Sequence, residues 1–573
     1  MKSLLRQLKK TEVYVLFFLT CITGYKIIFK LTPYPTGDAA EYILTTEAFV
    51  NHFSPSITSK ESKSFKENFL KKKSWEQVSK PGYFDNIETF LTKEKKTFKE
   101  NFAGIYVAKN GKNYSYHFPF YSIINVPARI FCSLANRNPL GAFQVTNGIL
   151  ILIACACILF FNKNISVYIR ILTALSFFYS SVYWYLGWVH PELMTACFVA
   201  LSLWFFWGKK MLFSIWLMTL ASLQNQPLLL MVGFLSLHYL LTNKFNIKSI
   251  LALLPPGLLA LLPSIFYFVL FNTFNLVKDQ GFLSDEVVSL TRILGFFFDI
   301  NQGILLAIPI ALFVFIILQL NNLRHWREWK SNEKLVLLPI VLIATILSFS
   351  TMKNWNHGQA VIIRYGVWMS TVLLIYVMYT ISQKENLGWK ICALLITASQ
   401  IGTVLYHEKY NIFDWTWFEH KPLAKFILDN YPKTYNPDPH IFFVRTTGKD
   451  ALDTNQSPVV YKDKYDNIKK IMVHRSTDEA LVSLGFNIHP ETVKKECEQG
   501  INGWAYFNEG ELNYLDFSEW KKIVRQKYIK ETRKRIYSTP EWMDQIKSKA
   551  AERKISIDSM VSLDAIYILE TEK

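Results

Sequence analysis

Two carboxylic acids stand just after the first long apolar run, in the segment Pro35-Thr-Gly-Asp-Ala-Ala-Glu-Tyr42. Asp38 and Glu41 are three residues apart, so on a short helix they share one face. In one interpretation Asp38 is a general base, which requires a carboxylate within hydrogen-bonding reach of a hydroxyl group. In the other interpretation Asp38 is only the N-cap of that helix, a position that aspartate favours. The types and spacing of these residues leave both interpretations open.

The elements around this motif are apolar runs typical of a membrane protein. The chain has 573 residues, is 51% hydrophobic and only 19% charged, and has a mean hydropathy of +0.15. Eleven runs are predicted to be spanning helices, because each supplies much of the apolar length that a hydrocarbon core requires. They fall near 13–31, 139–161, 166–186, 189–207, 211–224, 226–242, 249–272, 301–320, 334–352, 361–381 and 388–406. Residues 118–134, with two prolines and Arg129, are predicted to form an interfacial helix.

Charge in the short connectors sets the predicted topology. Connectors assigned to the cytoplasm, such as 208–210 and 242–248, carry Lys or Arg, in agreement with the positive-inside bias. The basic N-terminus is also assigned to the cytoplasm, so eleven spans place the C-terminal region outside. Four tryptophans near the outer ends are expected to lie in an interfacial aromatic belt. They are Trp184, Trp188, Trp355 and Trp368.

The predicted fold class is therefore an all-α polytopic membrane protein with about 11 transmembrane helices. Residues 1–406 form its transmembrane module, and residues 32–138 are a long first extracytoplasmic loop within that module. Residues 407–573 are expected to form a small mixed or α extracytoplasmic domain that ends in a helical pair.

Composition argues against three other classes of protein. The net charge of +18 is explained by basic connectors beside apolar runs, so nucleic-acid binding is not indicated. The seven cysteines show neither a metal knuckle nor a disulfide framework. Runs such as 139–161 and 249–272 contain no charged residue, whereas ion and proton pathways usually place carboxylates in mid-membrane. The remaining ionisable residues collect near the predicted outer face, which favours a site there.

Several segments, taken in order, resemble the GT-C superfamily of membrane glycosyltransferases that use polyprenyl-phosphate sugars. The similarity is to the bacterial branch related to protein mannosyltransferases and aminoarabinose transferases, and it covers residues 1 to about 445. The segments that carry it are the acidic motif at Asp38, His117-Phe-Pro-Phe-Tyr121, Gly295-Phe-Phe-Phe-Asp-Ile-Asn-Gln-Gly303 followed by Pro309, Trp355-Asn-His-Gly358 followed by Arg364-Tyr365, and Tyr435-Asn-Pro437. The short turn at Gln226-Pro227 departs from the family, where relatives often carry a basic residue before the proline.

The resemblance implies roles for particular residues. Asp38 matches the catalytic aspartate, and Glu41 takes the place of a second acid. Arg364 is expected to pair with the lipid-linked phosphate, with help from Lys353, because its planar fork of donors matches phosphate oxygens. A juxtamembrane anchor is the alternative for Arg364, and a helix cap is the alternative to sugar binding for Asp299. The other expected substrate-binding residues are His117, Tyr121, His190, Glu192, Gln226 and His357, although a lone histidine is more often structural.

The reaction that the resemblance implies is sugar transfer, with inversion, from a polyprenyl-phosphate donor to an acceptor hydroxyl at the outer face. The acceptor would be a lipid glycan or a protein, and neither a cofactor nor a metal is expected. The implied location is a bacterial inner membrane. Two alternatives stay open: a lipid or polysaccharide transporter, and a catalytically silent relative that acts as an interaction protein.

Overall fold

The structure is a computed structural model that divides into two compact units, Met1–Lys421 and Pro422–Lys573. The boundary expected from hydropathy lies slightly earlier, after residue 406. The described residues are 2–31, 38–69, 83–94, 96–324, 333–355, 361–384, 386–408, 418–449, 452–475, 490–511 and 517–571. Predicted site residue His357 and residues 35–37 of the acidic motif lie outside the described residues.

The first unit is mostly helical, as its apolar runs predict. A π-helical turn, Lys26–Lys30, extends the first helix. The described helices of this unit are α1 Lys2–Tyr25, α2 Ala39–His52, α3 Ser59–Phe69, α4 Tyr83–Thr92, α5 Phe120–Leu134, α6 Gly141–Phe160, α7 Val167–Phe178, α8 Glu192–Trp207, α9 Met211–Gln224, α10 Leu229–Thr242, α11 Ile247–Phe271, α12 Leu276–Asp279, α13 Leu290–Phe298, α14 Pro309–Arg324, α15 Glu333–Ser350, α16 Gly366–Ser382 and α17 Leu387–His407.

Polar residues in the short connectors cap the N-termini of several of these helices. Asn246 and Asn386 precede α11 and α17, and each side chain accepts a hydrogen bond from the backbone N–H three residues later, at 2.9 and 3.0 Å. Such caps satisfy donors that the first helical turn leaves without partners. The connectors therefore set where the long apolar helices start.

Four helices in the described part of the chain are long and apolar enough to cross a membrane, namely Lys10–Lys30, Gly141–Phe160, Ile247–Phe271 and Leu387–His407. Several other apolar helices have 10 to 17 residues. Large apolar side chains on α11 are 40–63% exposed, an arrangement compatible with lipid contact. Those side chains are Ile250, Leu251, Leu254, Leu258, Leu261, Leu262 and Ile265. These features are compatible with a membrane protein, and the count of about eleven spans stays a prediction.

Most predicted runs coincide with helices, but several differ in their bounds, and two of them differ by eight residues at one end. The run predicted over 301–320 becomes helical only at Pro309, because residues 301–308 form a turn and a short 3₁₀ segment. Gly303 is required there, since a Cβ atom at this position would lie 2.6 Å from the backbone nitrogen of Asp299. The run predicted over 166–186 leaves α-helical geometry after Phe178.

The first loop contains a small antiparallel sheet that the all-α prediction omitted. Its strands are β1 Ser56–Ile57, β2 Asn101–Phe102, β3 Ile105–Val107 and β4 Asn113–Ser115, in the order β1-β4-β3-β2. The sheet packs with α2 around a core that includes Tyr42, Ile57, Ile105 and Tyr121. This packing brings the end of β4 against the start of α2, where the acidic motif lies.

The predicted interfacial segment is a single helix, α5, that lies along α2. Arg129 on α5 donates to both carboxylate oxygens of Glu47 on α2, with Nη2 at 2.9 Å from Oε2. Both side chains are buried, and the hydroxyl of Thr46 also reaches the Ser122 carbonyl at 3.3 Å. Removing one partner of such a buried pair typically destabilises a protein by about 3–5 kcal/mol, so the contact fixes α2 firmly against α5.

The second unit combines a three-stranded antiparallel sheet with helices. Its strands are β5 Val459–Lys462, β6 Ile468–His474 and β7 Trp504–Asn508, in that order. Its helices are α18 Pro422–Asn430, α19 Pro439–Thr447, α20 Pro490–Gln499, α21 Phe517–Ser538, α22 Pro540–Arg553 and α23 Ile557–Thr571. The predicted helical pair corresponds to α22 and α23, and Ser556 caps the latter through the Ser559 N–H at 3.0 Å.

Candidate functional site

Asp38 occupies the N-cap position of α2, but its side chain does not cap the helix. Its Oδ2 atom instead accepts a hydrogen bond from Nη1 of Arg364 at 2.9 Å and lies 3.3 Å from Nε2 of His190. The interpretation of Asp38 as a plain helix cap is therefore wrong. Its carboxylate faces residues that are 152 and 326 positions away in the chain.

Two histidines approach the Asp38 carboxylate, and each contacts a glutamate through its other ring nitrogen. His117 places Nε2 at 3.9 Å from Asp38 Oδ2 and Nδ1 at 3.2 Å from Glu41 Oε2. His190 places Nδ1 at 3.6 Å from Glu192 Oε1. The cluster thus joins six of the predicted site residues. They are Asp38, Glu41, His117, His190, Glu192 and Arg364.

Aromatic rings fix the two histidines in place. Trp188 stacks on His190 with ring centroids 4.0 Å apart and an interplanar angle of 9°. The Tyr42 ring meets the edge of His190 at 5.5 Å and packs against His117 at 5.4 Å. These rings therefore limit the rotation of the two imidazoles beside Asp38.

Burial divides the cluster into an open side and a buried side. The side chains of Asp38, His117 and Arg364 are 30%, 20% and 16% exposed. Glu41 and Glu192 are at most 3% exposed. An incoming molecule can therefore reach Asp38, Arg364 and His117, whereas the glutamates act on it only through the histidines.

Charges around Asp38 determine its protonation. Removal from water would raise the pKa of Asp38, but the hydrogen bond from His190 and the charge of Arg364 outweigh that effect and hold the pKa well below 3.8. Burial raises the pKa of Glu41 despite the opposing charge of His117. Burial would lower the pKa of His117, but the Glu41 carboxylate outweighs it and raises that pKa above 6.5. Asp38 is consequently ionised in this arrangement.

Arg364 is positioned by the turn that follows α13. The backbone N–H of Ile363 donates to the Gln302 carbonyl at 2.9 Å, and the Gln302 side chain donates to the Trp355 carbonyl at 3.0 Å. Gly366 lies so close to Ile304 that a Cβ atom would come within 2.8 Å of its methyl group. These contacts hold the segment before α16 against the turn and direct Arg364 at Asp38.

Among the described residues, no group of three or more His, Cys, Asp or Glu side chains has the arrangement that would hold a metal ion. At the cluster, the Arg364 guanidinium already neutralises Asp38. What the geometry offers is one ionised carboxylate beside one cation on an accessible surface. No family model, curated protein or solved structure matches this chain.

Asp299 stabilises the turn after α13 and does not cap the helix that follows, because α14 begins only at Pro309. Its Oδ1 atom accepts hydrogen bonds from the backbone N–H groups of Asn301 and Gln302 at 2.8 and 3.0 Å. The residue is 5% exposed. Since Gln302 in turn holds Ile363, Asp299 affects the cluster by positioning the Arg364 segment.

Tyr121 and Gln226 are not among the six clustered residues, and their role in sugar binding stays a prediction. Tyr121 is fully buried, and its hydroxyl donates to Asn147 at 3.3 Å. Gln224, two residues before the predicted Gln226, is the glutamine that reaches the cluster, through the Tyr42 hydroxyl at 3.5 Å. The sequence signal was the Gln-Asn-Gln-Pro turn as a whole, which does not reveal which glutamine faces inward.

Lys353 is exposed, and its backbone N–H donates to the Phe282 carbonyl at 2.9 Å. Among the described residues its ammonium group makes no contact with Asp38 or Arg364, so the structure does not bring it into the cluster.

The expectation of a tryptophan belt is wrong for all four residues. Trp184, Trp188, Trp355 and Trp368 are at most 8% exposed, so they pack inside the protein rather than facing lipid. Trp188 serves the cluster directly by stacking on His190. Sequence reasoning missed Tyr42 and Ser115, the latter donating to Glu41 Oε2 at 2.8 Å. The position of Tyr42 directly after Glu41 was the available signal.

Proposed function

We propose that this protein is an inverting membrane glycosyltransferase that moves a sugar from a polyprenyl-phosphate donor to an acceptor hydroxyl at the outer membrane face. The observation that carries the proposal is the contact between Asp38 and Arg364, 2.9 Å long and formed across 326 residues. A transferase of this type needs a carboxylate for the attacking hydroxyl and a cation for the departing phosphate. Both groups are present on the accessible side of one cluster.

The proposed step balances as follows. Asp38 takes the proton from the acceptor hydroxyl while that oxygen forms a bond to the anomeric carbon of the donor sugar. The bond between the anomeric carbon and the phosphate oxygen breaks, and its electron pair leaves with the lipid phosphate. Arg364 stabilises the charge on the leaving phosphate. Attack opposite the leaving group inverts the anomeric configuration.

The other members of the cluster act as positioning residues in this proposal. His190 orients Asp38 through Oδ2, and its ring is held by Trp188. Glu41 is buried behind His117, so it is assigned to orienting that histidine rather than to contact with substrate. His117, which is partly exposed, is assigned to the donor phosphate beside Arg364.

The proposal also assigns a number of membrane spans and a sidedness, which go beyond the membrane character that the apolar helices support. We assign the chain about eleven spans, with the N-terminus in the cytoplasm and the cluster at the outer face of a bacterial inner membrane. The four long apolar helices and the shorter ones are compatible with that arrangement. The acceptor is assigned to the class of lipid glycans or proteins, and Asp38 is the residue that must reach its hydroxyl.

The first prediction concerns Asp38→Asn, which keeps the size of the side chain but removes its basicity. Sugar transfer by the full-length protein in vesicles should fall about 10²- to 10⁴-fold, the usual contribution of a general base. Transfer is measured with a radiolabelled sugar on a polyprenyl phosphate and membranes of the native host as acceptor. Loss of the corresponding glycan in that host gives a second readout.

Asp279→Asn is the matched control for this substitution. The side chain of Asp279 is 28% exposed and that of Asp38 is 30% exposed. Asp279 lies outside the cluster and pairs with Lys99 at 2.8 Å. It should leave transfer close to the wild-type rate. Equal activity of Asp38→Asn and the wild type, at equal membrane levels, would contradict the proposed function and favour a catalytically silent relative.

A further inference from the structure

The described residues satisfy Arg364 only in part as a hydrogen-bond donor. Nη1 donates to Asp38 at 2.9 Å, and Nη2 lies 3.5 Å from the Tyr365 hydroxyl. Its Nε atom is buried and has no hydrogen-bond partner in the described part of the chain. A guanidinium group carries five donors in a planar fork, which suits the several oxygens of a phosphate better than one carboxylate oxygen.

In its contacts with described residues, Asp38 uses only one of its two oxygens. In the part of the chain that the structure describes, the contacts from Arg364, His190 and His117 all fall on Oδ2. The other oxygen, Oδ1, makes no hydrogen bond to a described residue, and the side chain remains partly exposed. His190 can therefore hold Asp38 in place even when Arg364 moves.

We propose that the Asp38–Arg364 ion pair is a resting contact and that a phosphate group carried by the lipid donor takes Arg364 away from Asp38. This inference rests on the proposed function and adds an order to it, because the donor must arrive before Asp38 becomes a base. A carboxylate that is paired with a guanidinium accepts a proton poorly, whereas one released from that pair accepts it more readily. Hydroxyl activation is thereby restricted to the state in which a donor is bound.

The groups that face Asp38 favour this change once Arg364 is withdrawn. Two acidic side chains, Glu41 and Glu192, then remain beside Asp38 while its permanent cation is lost, so the proton affinity of Asp38 rises. The groups that face Asp38 come from four parts of the chain. Glu41 and Tyr42 lie on α2, and His117 follows β4. His190 and Glu192 lie at the start of α8, and Arg364 and Tyr365 lie just before α16. Because linkage is reciprocal, binding of the phosphate and protonation of Asp38 promote each other.

The test is a binding measurement that needs no turnover. Farnesyl monophosphate, which carries a phosphate on a short prenyl chain and no sugar, is titrated against the full-length protein in lipid nanodiscs. Asp38→Asn should bind it about fivefold or more tightly than the wild type, because the competitor for Arg364 is removed. Arg364→Gln should lose most of the binding.

Asp279→Asn is the matched control, because it removes one negative charge from a similarly exposed side chain without touching Arg364 or His117. Asp279 pairs with Lys99 instead. Equal tightening by Asp279→Asn and Asp38→Asn would mean that general charge, and not competition, is responsible, and would overturn the inference. Unchanged or weaker binding by Asp38→Asn would overturn it as well.

A parallel titration with inorganic phosphate separates the two sources of the anion. Farnesyl monophosphate should bind more tightly than inorganic phosphate, and equal affinity would overturn the assignment to a lipid-linked group. Failure of the inference and failure of the proposed function remain distinguishable. If the wild type transfers sugar but Asp38→Asn does not bind farnesyl monophosphate more tightly, only the inference is contradicted. If Asp38→Asn binds more tightly but the wild type transfers no sugar, only the proposed transferase function is contradicted.

Discussion

The side chain of Asp38 does not bond to its own helix, so its carboxylate faces the cluster. An aspartate at the N-cap usually accepts a hydrogen bond from the first turn, and that contact would occupy the carboxylate. Here Arg364 and His190 both contact Oδ2, and the Arg364 guanidinium is a charged donor, which forms a stronger hydrogen bond than a backbone amide. The start of α2 therefore lacks a side-chain cap, and Asp38 contacts residues far away in the sequence instead.

The neighbouring Glu41–His117 pair predicts a pH dependence of stability. The pKa of His117 is raised above 6.5 in the folded chain, so its contribution to stability is complete below pH 6.5 and is lost as pH rises through the folded pKa. The pKa of Glu41 is raised above 4.5, and ionising this buried acid also lowers stability as pH rises. Both groups act in the same direction. The thermal midpoint of the protein in nanodiscs should therefore fall as pH increases from about 6 to about 9.

Replacing His117 by Gln should make that decrease shallower, since one of the two groups no longer titrates. His52→Gln is the control, because His52 pairs with Glu61 at 3.6 Å outside the cluster. Its slope gives the change that loss of a histidine outside the cluster causes. An identical slope in His117→Gln and the wild type would show that His117 is not coupled to Glu41 in the folded protein.

At the scale of elements, the small sheet of the first loop closes the buried side of the cluster. The turn between β2 and β3 places Gly104, at φ +78°, directly over the Glu41 carboxylate. The backbone N–H of Tyr116 donates to the Gly104 carbonyl at 2.7 Å, and Ser115 at the end of β4 donates to Glu41. The strands thus exclude water from Glu41 and leave His117 as its partner on the accessible side.

Gly104→Ala tests this role of the turn. A Cβ atom at residue 104 would overlap Oε1 of Glu41, so the glutamate must move and His117 loses its orienting partner. The positive φ adds backbone strain of about 1–3 kcal/mol. We expect lower stability, measured by thermal unfolding, and a clear loss of sugar transfer.

Gly111→Ala separates backbone strain from the clash with Glu41. Gly111 lies in the turn between β3 and β4 at φ +75°, and a Cβ atom added there would have no neighbouring atom within 4 Å. The two variants share similar backbone strain, and only Gly104→Ala meets the carboxylate. Equal loss of transfer in both would argue that the turn matters for folding alone.

At the scale of the whole molecule, apolar exposure and connector charge together predict which surfaces meet water on each side of the membrane. Phe53, which ends α2 and is 87% exposed, lies in the loop assigned to the outer face. Lys210 is exposed in a short connector assigned to the cytoplasm. A membrane-impermeant maleimide should label Phe53→Cys in intact spheroplasts and Lys210→Cys only after permeabilisation.

Background labelling of the native cysteines is measured on the wild type, where Cys21 is exposed and the others are at least partly buried. Labelling of Phe53→Cys only after permeabilisation would place α2 and Asp38 in the cytoplasm. The proposed reaction at the outer face would then be untenable. The same result would also reverse the assignment of the basic connectors.

Local patterns correctly predicted most helices, and they correctly placed one pair of acidic residues at the start of a helix. The Asn225–Pro227 break between α9 and α10 appears at the predicted place, because proline sets a helix start regardless of its surroundings. The start of α14 at Pro309 was not predictable from hydropathy, since residues 301–308 are almost as apolar as the helix after them. The turn there depends on Asp299 and Gly303, whose effect is visible only in the folded backbone.

Sequence patterns were sufficient to predict that this chain consists largely of apolar helices and that Asp38 and Glu41 lie at the start of a helix, because hydropathy and helix-start signals are local properties. The packed chain was needed to show that Asp38 pairs with Arg364, that Glu41 is buried behind His117, and that Asp299 stabilises a turn. These facts depend on segments up to hundreds of residues apart being packed together. No short-range pattern encodes which of several similar polar residues will meet.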